Sequence, residues 1–495
     1  MSENNALTRS TVQPLKLKER ISYSLTNTGQ TMIYALFTNF LMMYMTDYMF
    51  KGRITIYSPQ QITSITALII LVARMFDAFN DPIMGQILDR THTRWGKCRP
   101  YMLFTPIPLA IITALVFIPM PLKDNALIAY AAIIYIIFTM VYTANDIPFW
   151  SMSAVMTNNE KDRVKVVTLT RIIGGLGSAI CIGLFWTVKG FFEKINVSDN
   201  TSFFLAAMVF TLFGTGLMLQ GFFNTKERAP VSKEKKENII ANLAYIFKCK
   251  PLLINLISGM LVSIMTVGTV ALTTYFVKWN LKTIFPDMSS TKLLSVFTPI
   301  VGFLPAIATL GGLLFAPILL KKYEKRTLLI FFTAIGLCAN IISYFVGYAN
   351  IYLFLIGRFF AFLPMGIWSS ITTIMIGDSV DLIEYKTGRR IEGTCFSLLT
   401  FIGKFQNGVN ASIALAVLGY FGYNGHLDPE AAGVNQSPKT LSAIFIMVTL
   451  VAALGYLLMI IPFLFYKFNK KQHQEILEVL EIRRREAAEK EAAVG

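Results

Sequence analysis

Two carboxylates, an amide and a guanidinium fall inside one apolar segment, Arg74-Met75-Phe76-Asp77-Ala78-Phe79-Asn80-Asp81-Pro82. An ionisable side chain at the bilayer centre costs roughly 2.5 to 3.5 kcal/mol even on lenient insertion scales, so such residues tend to face a cavity and work there. Asp77 and Asp81 are four apart and share a helix face, with Asn80 and Arg74 each three from Asp77 on the same side. Counted back from Asp89 at the charged end of the segment, Asp77 lies roughly 18 Å deep and Asp81 about 12 Å. Two like charges this close raise the proton affinity of one of them, and a bound Na+ or H+ relieves the repulsion. The spacing predicts a seat for a monovalent cation, with Asp77 and Asp81 as carboxylate ligands for Na+ and Asn80 adding a neutral oxygen. The competing reading is an Asp77–Arg74 ion pair that merely locks helices together.

A second group of polar residues suits a different ligand. Tyr142-Thr143-Ala144-Asn145-Asp146-Ile147-Pro148-Phe149-Trp150-Ser151 places a carboxylate and an indole four residues apart, with Pro148 expected to disturb the turn between them. Sugar hydroxyls need charged acceptors and donors, while the C–H face of the ring needs an aromatic platform. Asp146 would accept from hydroxyls, Trp150 would stack, and Arg171 from the following apolar segment would donate. Trp150 as an interfacial belt residue is the plainer reading. Lys404, within Thr400-Phe401-Ile402-Gly403-Lys404, brings a compensating positive charge from the second half of the chain. Arg358, alone in its segment, reads as a helix–helix contact.

The elements that must position these residues are long apolar runs. Of 495 residues 54% are hydrophobic, including 39 Phe and 22 Met, and only 15% are charged, against about 25% in an average soluble domain. Apolar runs broken by charge clusters predict twelve membrane-spanning helices near 26–46, 62–88, 101–121, 126–149, 165–188, 202–223, 251–277, 293–319, 327–347, 350–376, 394–422 and 441–466. Met1–Arg20 is polar, so the first span is expected to act as its own insertion signal. The formal charge of +16 is dispersed through short loops, which argues for loop orientation rather than nucleic-acid binding.

An even number of spans puts both termini on one side. The loops on that side carry over three times as many Lys and Arg as the opposite set, which predicts a cytoplasmic location for both termini of a multi-pass cell (inner or plasma) membrane protein. The charged stretch between the sixth and seventh spans divides the chain into an N-terminal six-helix bundle (1–223), a central cytoplasmic loop (224–250), a C-terminal six-helix bundle (251–466) and a cytoplasmic tail (467–495). Carriers built from two halves place their substrate site between them near the midplane. Ile476, Leu477, Leu480 and Ile482 make the tail an amphipathic helix, expected to be solvated or to lie on the membrane surface. Five dispersed cysteines (Cys98, Cys181, Cys249, Cys338, Cys395) give neither a disulfide framework nor a zinc site. His92, His426 and His473 lie outside the spans. An enzyme would need a nucleophile–base pair or a metal cluster, and no such spacing occurs.

These residues resemble the glycoside-pentoside-hexuronide cation symporters of the major facilitator superfamily over all twelve spans. The resemblance rests on Asp77-Ala-Phe-Asn-Asp-Pro-Ile-Met-Gly85, Asp89-Arg90 with Arg94-Trp-Gly-Lys-Cys-Arg-Pro100, Asp146-Ile-Pro-Phe-Trp150, and Asp378-Ser-Val-Asp-Leu-Ile-Glu-Tyr385 followed by Thr387-Gly388 and Glu392-Gly393. It implies an all-α major facilitator fold and a cation site of Asp77, Asn80, Asp81 and Thr143. It also implies a sugar site, or residues linking the two sites, at Asp146, Trp150, Arg171, Thr400 and Lys404. One departure concerns the first span. The family member that carries melibiose has a Lys-Asp pair just after a glycine, and its Asp binds the galactosyl unit; here the register reads Gly29-Gln30-Thr31. Thr31 thus takes the substrate-binding position, and another disaccharide, a pentoside or a glucuronide is as fitting a substrate.

The expected activity is alternating-access symport of Na+ (or H+) with a glycoside or oligosaccharide. A sodium-coupled lysophospholipid carrier of the same fold is the alternative. The expected partners are a small-molecule sugar or glycoside, a monovalent cation and the lipid bilayer, with no nucleic acid. No cofactor is expected beyond the co-transported ion, and the chain is expected to work as a monomer.

Overall fold

The computed structural model describes residues 15–157, 160–228, 246–388, 392–431 and 433–494. Its named elements are all helices, in thirteen stretches. They are α1 (17–49), α2 (Pro59–Arg90), α3 (99–117), α4 (Asp124–Val155), α5 (Glu160–Lys194), α6 (Asp199–Asn224), α7 (Lys250–Thr283), α8 (Ser290–Leu320), α9 (Lys325–Val346), α10 (Ile351–Thr387), α11 (Glu392–Tyr420), α12 (Pro438–Leu464) and α13 (Lys470–Val494). Among the described residues nine helices are long and apolar enough to cross a membrane unaided, while α3 and α11 contribute the shorter apolar helices Pro106–Phe117 and Gly408–Tyr420. Counted with α1, which is not among these eleven, helices α1 to α12 follow the order of the twelve expected spans. Several run past their expected ends, because apolarity fades at the headgroups while the helix continues. At the start of α2, Ser58 closes a capping box with Gln61, which satisfies two backbone donors that would otherwise be orphaned.

The described chain packs as two units. The first comprises Met1–Lys233, Val277–Ile300 and Leu415–Thr440; the second comprises Glu234–Phe276, Val301–Ala414 and Leu441–Gly495. In the first unit α1 packs against α5 and α6. It starts at Leu17, nine residues before the expected span, because its early polar residues are buried against protein instead of facing water. Ser24 shares a 3.1 Å hydrogen bond with Thr170, Asn27 Nδ2 donates to Thr170 O at 3.1 Å, and Thr28 Oγ1 donates to Ile173 O at 3.0 Å. Close approach needs glycine: a Cβ on Gly174 would sit 2.0 Å from Asn27 Nδ2, and one on Gly29 would sit 2.2 Å from Gly214 O. Further along, α1 loosens into π turns at Leu36–Phe40 and Met45–Met49.

The second π turn carries Asp47, which is buried with Lys278 Nζ at 2.5 Å and Tyr423 OH at 2.8 Å. Trp279 Nε1 donates to the same tyrosine at 3.1 Å. These contacts explain why Val277–Ile300 and Leu415–Thr440, which a cut at 224–250 assigns to the second half, belong to the first unit. Between α2 and α3, Glu227 gathers the backbone N–H groups of Lys97, Cys98 and Arg99 at 2.9, 2.7 and 2.9 Å. Burial, with Glu227 beside it, pushes the Cys98 thiol up to about 12.

In the second unit α7 packs on α12 and α9 on α10. Arg358 lies in that packing, donating to Asn340 Oδ1 at 3.3 Å and Val448 O at 3.0 Å, with its guanidinium 4.8 Å from the Phe362 ring centre. It is a helix–helix contact. The α13 tail is docked rather than solvated: Ile476 and Leu480 are buried with Cys249, Leu252, Val380 and Ile383. His473 lies 3.0 Å from Asp381 and 3.5 Å from Asp378, and Asp378 is also paired with Lys325.

Candidate functional site

Within the first unit, α1, α2, α4 and α5 bring the chemistry-bearing residues together. Asp77, Asn80 and Asp81 stand half-buried on α2, beside α4. From α4 the buried Thr143 points its hydroxyl at both carboxylates, 2.9 Å from Asp77 Oδ1 and 3.3 Å from Asp81 Oδ1. Three oxygens from two helices thus converge, and one hydroxyl proton is shared between two carboxylates. Hard cations prefer oxygen ligands of this kind. Arg74 is turned toward α1, where it donates to Tyr34 OH at 3.1 Å and lies 5.6 Å from that ring's centre.

Asp146 is three residues beyond Thr143 on α4, about 4.5 Å along the axis. Gln30 Nε2 donates to its Oδ1 at 2.8 Å, whereas the Gln30 side-chain carbonyl, also buried, has no hydrogen-bond partner among the described residues. Such an acceptor costs about 1 to 3 kcal/mol when buried unmet, so a donor from a bound ligand would be stabilising there. The neighbouring Thr31 faces elsewhere. Its hydroxyl donates to Gly174 O at 2.5 Å, with Thr28 O at 3.2 Å, fastening α1 to α5. At this register the side chain that reaches Asp146 is Gln30, the residue before Thr31, the expected substrate contact.

Trp150 lies half-buried one turn after Asp146, and the Arg171 guanidinium sits 5.7 Å from its ring centre. α4 continues without a break through Pro148, since helices packed in a bundle accommodate a proline that would end an isolated one. Arg171 itself is exposed and occupies one face of the indole, leaving stacking for the other face or for a moment when Arg171 swings aside. Tyr142 stacks on Tyr34 with ring centres 4.9 Å apart, forming an aromatic wall between Arg74 and Asp146. Sequence reasoning missed Gln30, Tyr34 and Tyr142. The available signal was their helical spacing, Gln30 four before Tyr34 and Tyr142 four before Asp146. Thr400 and Lys404 belong to α11, but their side chains lie outside the described residues. Among the described residues no three His, Cys, Asp or Glu side chains group as ligands for a tightly held metal.

A polytopic helical protein with acidic groups gathered inside one unit is the architecture of a membrane carrier. Residues 22–470 match the family model for MFS/sugar transport proteins, and the chain belongs to that family. It is 28% identical over 454 residues to the isoprimeverose transporter of Lactiplantibacillus pentosus, covering 91% of this chain and 89% of that protein. It is 26% identical over 488 residues to the inner membrane symporter YicJ of Escherichia coli (strain K12), covering 94% and 95%. Among solved structures it is similar to the xylose transporter XylE from E. coli, with a TM-score of 0.58, 12% identity, and coverage of 91% of this chain and 98% of that one. This last likeness supports the fold.

Proposed function

We propose that the chain couples Na+ (or H+) entry to uptake of a glycoside or oligosaccharide by alternating access. The observation that carries this reading is the Thr143 hydroxyl set between Asp77 and Asp81, with Asp146 a turn further along the same helix. A cation drawn to the two carboxylates and Thr143, with Asn80 nearby, acts on α4. A glycoside held by Asp146, the Gln30 amide and Trp150 acts on the same helix, so each ligand reads the other's presence through α4's position. Arg171 would donate to the sugar, and Thr400 and Lys404 are assigned to its far side. The family and the names of its relatives support a sugar as cargo, and several relatives are named symporters. The lysine and arginine distribution supports cytoplasmic termini in the cell membrane. The division at 224–250 into two six-helix halves, working as a monomer, completes the proposal.

The test is uptake of radiolabelled glycosides, isoprimeverose first, into proteoliposomes with and without imposed Na+ or H+ gradients. One of the two gradients should accelerate uptake. Asp77→Cys and Asp81→Cys should lose that acceleration while keeping some sugar binding, and Asp146→Ala should lose sugar binding itself. If neither gradient accelerates uptake of any glycoside, coupling is disproved; wild-type affinity in Asp146→Ala removes that residue from the sugar site.

A further inference from the structure

In the second unit, away from the residues just described, a cavity of about 680 Å³ opens between the start of α7, the end of α10, the end of α12 and the α13 tail. Among the described residues its lining holds Lys248, Lys250, Lys386 and Lys467 against a single acid, Glu475. The four ammonium groups come from three separate parts of the fold, so folding is what concentrates them. The N-terminus of α7 begins at Lys250, adding the partial positive charge of its unsatisfied N–H groups. One side of the wall is apolar: Ile254, Leu382 and Phe468 line it, and Phe465, also lining it, is 67% exposed. Phe465 directly follows the membrane-spanning part of α12. A cation-rich recess with an apolar side, at the level where spans leave the bilayer, matches a ligand with a phosphate head and hydrocarbon tails.

We propose that this cavity binds an anionic phospholipid of the inner leaflet, with its headgroup among the four lysines and its acyl chains over Ile254 and Phe465. Assignment to the inner leaflet rests on the topology proposed above; binding itself does not. One wall is α13, through Gln472, Glu475 and Ile476. An occupied cavity therefore ties the tail to α7 and α10, and the lipid's presence strengthens tail docking. An inorganic phosphate would meet the lysines but leave Ile254 and Phe465 uncovered.

The experiment uses purified full-length protein in neutral detergent, titrated with dioleoylphosphatidylglycerol, dioleoylphosphatidylcholine or inorganic phosphate, with melting temperature as the readout. Phosphatidylglycerol should raise the Tm and the other two should not. Each lysine changed to glutamine should weaken the lipid's effect about fivefold, the value for one basic residue near an anionic surface. K248Q/K250Q/K386Q/K467Q should abolish the shift, while K16Q/K18Q/K321Q/K322Q, equal in charge lost, should retain it. Retention in the first variant, or equal loss in both, overturns the proposal, and a shift with inorganic phosphate alone overturns the lipid as occupant. Native mass spectrometry of co-purified lipid on K248Q/K386Q and K250Q/K467Q reads the same site if the fourfold variant fails to fold. The same lipid retained on those pairs as on the unaltered protein counts against it. None of these readouts requires transport, so absence of glycoside uptake and absence of lipid binding are separate results.

Discussion

Thr143 has one hydroxyl proton and two carboxylates within reach of it. Removing the hydroxyl takes an oxygen from the cluster and a donor from Asp77, and hydrogen bonds to charged groups contribute about 1.5 to 3 kcal/mol. Thr143→Ala should therefore raise the Na+ concentration for half-maximal uptake about tenfold or more, while Thr143→Ser stays near the unaltered value; equal behaviour of the two would remove Thr143 from the cation's contacts. Gln30→Glu sets a carboxylate against Asp146, where Gln30 now donates at 2.8 Å, and should lose glycoside-induced thermal stabilisation while keeping the response to Na+. Cys98 offers a pH test. With its thiol pushed up to about 12, it is protonated at pH 7 to 8 and gains reactivity only as pH rises toward that value. N-ethylmaleimide should label it at neutral pH only after denaturation, as read by peptide mass spectrometry. Asp77, Asp81 and Asp146 were legible in the sequence because charge in an apolar run is conspicuous. Gln30 was not, since a neutral amide in a span has many uses and only the packing of α1 beside α4 singles it out.

The spans were legible for a similar reason: each needs about 20 apolar residues, and loop charges mark most of the ends, Gly347-Tyr348-Ala349-Asn350 being a break without one. The exception is α1, whose first turns carry the buried polar residues Glu19, Ser22, Ser24 and Thr26, a burial that lies in the helices packed against α1 rather than in α1 itself. The α13 tail was half legible. Its apolar face follows from Ile476 and Leu480 at helical spacing, but the surface that receives them is assembled from residues 246–256 and 376–383 with Cys395, which no local pattern reveals. Leu480→Asp should expose that joint. A carboxylate placed among Leu252, Val380 and Ile383 is costly to bury, so trypsin should cut the variant near Arg483 much faster than the unaltered protein, with the spans left intact. Equal cutting rates would mean that the tail is held by other contacts, such as His473 with Asp378 and Asp381.

For the molecule as a whole, the buried Asp47–Lys278 pair carries more weight than its size suggests. Removing one partner of a buried pair costs about 3 to 5 kcal/mol, because the remaining charge has no water to meet it. Asp47→Asn or Lys278→Gln should each lower thermal stability, and exchanging the two residues should restore part of the loss; full stability in either single variant would show that Tyr423 and solvent suffice. The pair also has a history during synthesis. Lys278 follows Asp47 by 231 residues and Tyr423 follows it by 376. At about 5 to 20 residues per second, Asp47 leaves the ribosome roughly 10 to 50 s before its cation exists. The nascent first half must therefore hold a carboxylate at its membrane boundary until the seventh span emerges, and the contact with Tyr423 closes only when translation is nearly over.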